Sequence, residues 1–142
     1  MNRMVVAARI VLALPLLIFG LDGLLGFLPE GTYPEQGPQA AKFLEAIVGS
    51  GYLWQVLKIA EVAVAIALLS GRFVPLALVV LSPIVVNIVG FHLTMELEGT
   101  PLALLLVVLL AFLAWAYRAS FRPLFQSDAQ PSATQRANLE NQ

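Results

Sequence analysis

Leu53-Trp-Gln-Val-Leu-Lys-Ile-Ala-Glu-Val-Ala-Val-Ala-Ile-Ala-Leu-Leu69 is the stretch that decides how this chain folds. Its polar side chains are Gln55, Lys58 and Glu61, and the rest is apolar. The run approaches the roughly 20 residues that a bilayer-spanning helix needs. Lys58 and Glu61, three residues apart, share one helical face. A charge in hydrocarbon is costly, so such residues face a bundle interior, a partner or a water-filled cavity.

The rest of the chain has the same character. Of its 142 residues 59% are hydrophobic and 12% charged, whereas a soluble domain carries about 25% charged residues. Four apolar segments are predicted to be helices, at residues 4–28, 52–69, 73–93 and 101–117. Segment one is too long for the apolar core of a signal peptide, and Phe27-Leu28-Pro29-Glu30 is no small-residue cleavage site. It is read as a retained helix.

Basic residues orient the helices. If the chain crosses four times, Arg3, Arg9, Arg72, Arg118, Arg122 and Arg136 fall on one side. Glu30, Glu35, Glu45, Glu96 and Glu98 fall on the other, with Lys42 the one base among them. The positive-inside rule then makes both termini cytoplasmic. Tyr52, Trp54, Phe73, Trp115 and Tyr117 mark the helix ends as aromatic belts do. The fold expected is all-α: a four-helix transmembrane bundle formed by residues 1–125 as one domain.

The long connection between the first two segments is irregular at first, with Pro29, Gly31, Pro34 and Gly37. Pro38 then suits a first helical position and Gly49 a stop. Phe43, Leu44, Ile47 and Val48 share an apolar face there. A short amphipathic helix in this outer loop, lying on the membrane surface, is expected. Residues 126–142 are rich in Gln, Ser, Asn and Ala and read as a disordered polar tail.

Several chemistries are excluded. The chain has no Cys, hence no disulfide, thiol redox chemistry or thiolate cluster. One His, His92, makes an all-protein transition-metal site unattainable without a partner subunit, so no metal site is expected. The formal net charge of -1 gives no surface for nucleic acid. There is no phosphate-binding, metalloprotease or nucleophile-elbow motif, and no catalytic residue is assigned.

The candidate site residues are therefore the polar ones inside the helices: Arg9, Asp22, Lys58, Glu61, Asn87 and His92. From the cytoplasmic ends, Arg9 lies roughly 8 Å deep, Glu61 roughly 13 Å and Lys58 roughly 18 Å. Asp22 and Asn87 are deeper still. Arg9 with Glu61, and Asp22 with Lys58, are expected to form bridges in an interhelical network on the inner faces of helices one to three. Trp54, Lys58, Glu61, Ala65 and Leu68 form one stripe, and Leu76, Val80, Pro83, Asn87 and Gly90 another. Asn87 can bond to a carbonyl near Pro83 or to helix two. Gly20, Gly23 and Gly26 permit close helix approach, or the approach of a ligand to bared backbone. His92, near the outer surface, is either an interfacial residue or a proton shuttle or quinone ligand.

The runs Arg9–Leu25, Tyr52–Val62, Leu69–Ala77 and Pro83–His92 together resemble the DoxX-like family of small bacterial membrane proteins, over roughly residues 5 to 125. The resemblance implies a bacterial inner-membrane protein with four helices. It departs at Asp22, where many relatives carry Asn. Some relatives are linked to thiosulfate:quinone oxidoreductase or to membrane complexes of oxidative-stress defence, which implies an accessory membrane subunit that docks a redox enzyme or holds a quinone. Two other readings stay open: a small proton-coupled transporter acting as a homo-oligomer, and a structural membrane protein whose polar residues specify packing.

Overall fold

The computed structural model describes residues 2–128, and these are helical and free of strands. Four long helices and a shorter one carry the fold: α1 Arg3–Leu25, α2 Pro38–Gly49, α3 Leu53–Ser70, α4 Val74–Thr94 and α5 Thr100–Ala116. A single turn, α6 Arg118–Phe121, leads into a 3-10 turn at Arg122–Phe125. Residues 129–142, most of the expected polar tail, lie outside the described residues.

Local chemistry sets the boundaries. The Asn2 side chain accepts the Met4 amide at 3.1 Å and starts α1. Gly26 ends it in the left-handed conformation (φ 62°), donating to the Asp22 carbonyl at 2.7 Å. The first helix thus stops before Leu28, because its third spaced glycine is a cap rather than a packing surface. Pro38 opens α2 as expected, but the left-handed residue beyond that helix is Gly51 (φ 78°), not Gly49. Gly71 (φ 71°) closes α3 and starts a tight turn into α4.

α1, α3 and α4 are each long and apolar enough to cross a membrane. α5 has 17 residues and joins α6 and the 3-10 turn through a 77° bend. Taken with that bent segment it makes a fourth candidate span. α1 packs on α3 and α5, and α4 packs on the same two helices. The most extensive contact is between α1 and α3. Leu12, Leu16, Leu68, Leu78, Leu81 and Leu113 fill the space where they meet. The outer faces are apolar as well: Val56 and Ile59 of α3 and Val86 of α4 stand exposed. Such a surface is a liability in water and suits a hydrocarbon surround.

Sequence neighbours across the seams give the directions. Gly20 approaches Glu61 and Val62, Gly23 approaches Lys58, and Arg9 reaches Gly71. α1 and α3 therefore run antiparallel. Arg9 also donates to the Tyr117 hydroxyl at 3.4 Å, which brings the start of α1, the α3–α4 turn and the end of α5 to one end of the molecule. That end carries Arg3, Arg72, Arg118 and Arg122; the opposite end carries α2 and the acidic connections.

Candidate functional site

The α1–α3 seam holds the charged centre. On α3, Lys58, Glu61, Ala65 and Leu68 are buried as their shared stripe requires, with Val64 beside them. Lys58 Nζ meets Glu61 Oε2 at 2.9 Å within the helix. The Lys58 stem lies against bare Gly23: a Cβ there would fall 2.6 Å from Cδ. The ammonium sits 4.7 Å from the centre of the Trp54 ring, and the Trp54 indole N–H donates to the Gly23 carbonyl at 2.7 Å. Glycine on α1 and lysine on α3 are therefore one feature, the first making room for the second.

Asp22 lies just above this pair at the end of α1. One carboxylate oxygen accepts the Leu28 amide at 2.7 Å and the other the Tyr33 hydroxyl at 2.5 Å. Tyr33 comes from the irregular loop and packs its ring 5.8 Å from Phe19. Burial pushes the Tyr33 hydroxyl above its ordinary value, and the bond to Asp22 and the charges of Asp22 and Glu61 push it further. Nothing in the sequence around Tyr33 singles it out, since its partner is distant and its loop has no period.

The bridges expected between helices are replaced by local ones. Among the described residues the ion pairs are Lys58–Glu61 and His92–Glu96. Asp22 spends its carboxylate on the chain that caps α1, and Lys58 turns to Glu61. Arg9 is buried, but its guanidinium rests on Gly71, ten residues along α3 from Glu61 and so about 15 Å away in level. α1 begins beyond the end of α3, so Arg9 lies level with the Gly71 turn and not with Glu61. Tyr117, read from the sequence as a belt residue, is its partner.

Asn87 does not join the centre. It is exposed, and its amide donates to the Pro83 carbonyl of its own helix at 2.8 Å. Leu76, Val80 and Pro83 share its outward face, while Val74, Ala77, Leu78, Leu81 and Val85 are the buried side of α4. The expected stripe on this helix is therefore its outer face.

His92 has a partner that its spacing could have revealed. Nδ1 lies 2.8 Å from Oε2 of Glu96, four residues on, and the ring covers Gly99. Glu96 also accepts the amides of Glu98 at 2.7 Å and Gly99 at 3.1 Å. Burial raises the Glu96 carboxyl, but these amides and the His92 ring outweigh it and hold it below the ordinary carboxylate value. The arrangement ties the end of α4 to the start of α5.

Separate polar clusters, around Lys58–Glu61, at Arg9 and at His92–Glu96, thus replace the interhelical network expected of helices one to three. Among the described residues no group of His, Cys, Asp and Glu could hold a metal ion. Among the described residues the shallow grooves include one of about 350 Å³ between α4, α5 and the bent segment and one of about 160 Å³ between α3 and α4. Neither is lined by Lys58, Glu61, Asp22 or His92. Compared with known protein families, curated proteins and solved structures, the chain matches none.

Proposed function

We propose that this chain is a DoxX-like four-helix bundle of the bacterial inner membrane, with both termini cytoplasmic and α2 lying on the outer surface. In this reading it is an accessory subunit without a catalytic centre of its own, which docks a redox enzyme or holds a quinone-like lipid. One observation carries the accessory role: the Lys58–Glu61 pair is closed within α3, stacked on Trp54 and seated on Gly23. Charges neutralised in this way fix how two helices meet. A proton path would instead need Glu61 to exchange with water. The gathering of arginines at one end supports the cytoplasmic placement of that end. The exposed apolar residues of α3 and α4 support a lipid surround.

Purification in several mild detergents tests the proposal. An endogenous quinone or a redox protein is expected to co-isolate. Consistent isolation without either, from membranes of the native host, refutes the accessory role. Proteoliposome proton flux that falls in Glu61→Gln would favour the transporter instead.

A further inference from the structure

We infer that the groove at the 77° bend after α5 is a binding site for one anionic phospholipid, a proposal that rests on the membrane reading above. The groove is shallow and open to the surround, with about 350 Å³ of space. Its walls are apolar: Leu78 and Val79 of α4, Leu110 and Ala114 of α5, and Phe125 of the 3-10 turn. Its one cation is Arg118. An acyl chain and a phosphate have this pairing of chemistries.

Depth and charge agree with a lipid. Leu78 and Ser82 lie four and eight residues into α4, about 6 and 12 Å from its start. That is the level at which interfacial segments bury their apolar faces. At the bend the chain turns away from the α5 axis and exposes Leu124 and Phe125, 68% and 86% accessible, beside Arg118 and Arg122. Aromatic and aliphatic side chains with arginines on a segment turned across the helix axis are the pattern of a chain lying in the headgroup layer. Arg118 is held in place: it stacks 4.7 Å from the Trp115 ring centre and donates to the Trp115 carbonyl at 3.0 Å. A guanidinium has five donors, so this bond leaves donors for a phosphate. The sequence beyond Asp128 offers no filler, since Leu139 is its one large apolar residue.

The groove can be read through Trp115. In the full chain with Trp54→Phe, reconstituted into phosphatidylcholine vesicles, Trp115 fluorescence is quenched by brominated phosphatidylglycerol or by brominated phosphatidylcholine at equal mole fraction. Preferential quenching by the anionic lipid is expected, about five-fold in relative affinity for each arginine engaged. Arg118→Gln with Arg122→Gln abolishes the preference, and Arg118→Lys keeps part of it. Equal quenching by both lipids, or a preference that survives the double glutamine variant, overturns the site while leaving the membrane reading intact. Quenching by neither lipid overturns the membrane reading too. Shielding that grows with protein-to-lipid ratio shows a second copy in the groove and overturns the lipid. If Trp54→Phe does not fold, retention of phosphatidylglycerol over phosphatidylcholine by the unaltered chain in native mass spectrometry decides, with the same arginine variant as control.

Discussion

Removing one charge of the Lys58–Glu61 pair is expected to destabilise the protein strongly, and removing both hardly at all. The side chains are only 11% and 6% accessible, so this is not an exposed pair worth a few tenths of a kcal/mol. A buried pair that loses one member leaves an uncompensated charge, at about 3–5 kcal/mol. The two single variants should differ. In Glu61→Leu the stranded ammonium still sits over the Trp54 ring, a contact worth about 1–2 kcal/mol when desolvated. In Lys58→Met the stranded carboxylate has no such ring. Lys58→Met is therefore the costlier change, near the top of that range, although the thioether can still lie on Gly23 and against Trp54. The double variant fills the seam with apolar groups of similar volume and should fall within about 1 kcal/mol of the parent. Reversible unfolding of the four proteins in mixed micelles closes the cycle. A coupling of at least about 3 kcal/mol is expected. Additive effects would show that the pair is solvated and that the α1–α3 seam is open to water.

Three further expectations follow from single contacts. Gly20→Ala places a Cβ 2.9 Å from the stiff Val62 side chain, so overpacking of about 1–3 kcal/mol outweighs the helix-propensity gain of about 1 kcal/mol. Gly90→Ala meets nothing within 4 Å and should stabilise by up to about 1 kcal/mol; equal signs for the two in thermal unfolding would refute the seam geometry. Tyr33 has a raised pKa, so its bond to Asp22 contributes fully below the ordinary phenol value of about 10 and is lost as pH rises through the folded value. In a phenolate absorbance titration one tyrosine should ionise late, and Tyr33→Phe should remove that late step. Glu96 has a lowered pKa, so its contribution is complete above the ordinary carboxylate value of about 4.3 and is lost as pH falls below it. Amide protection at Glu98 and Gly99 should fall over that acid range and be low at every pH in Glu96→Gln.

The helices were legible because glycine or proline bounds each apolar run at one end or both, and because a helix satisfies the backbone of so long an apolar run within itself. Their inward faces were only partly so. On α3 two charges point to the seam, and the stripe they define is the buried one. On α4 the one amide, Asn87, points the wrong way, because it bonds to its own helix and has no need of a neighbour. Where the surround is as apolar as the core, hydrophobic pattern carries no direction, and a lone polar side chain replaces it poorly. Arg9 shows the related failure of depth. Depths counted from each helix's own end take those ends as level, whereas the Gly20–Glu61 and Gly23–Lys58 contacts set Arg9 opposite the Gly71 turn.

The α1–α3 register follows from the same residues that looked like a site. The Lys58 stem fits because Gly23 is bare, and Gly20 lets the backbone of Val62 come close. A slip of four residues, about one helical turn, would bring Phe19 or Phe27 under Lys58 in place of Gly23. Either ring would fill the space that the stem now occupies and would break the Trp54 bond to the Gly23 carbonyl. No apolar contact on these helices discriminates so sharply, since leucine meets leucine at many offsets. The buried charges therefore act with the glycines to select one pairing of α1 and α3. Asp22 adds to this, because it holds Leu28 and Tyr33 and so fixes where the chain leaves α1. A register set at that end determines the level at which Arg9 meets Gly71 and Tyr117 at the other.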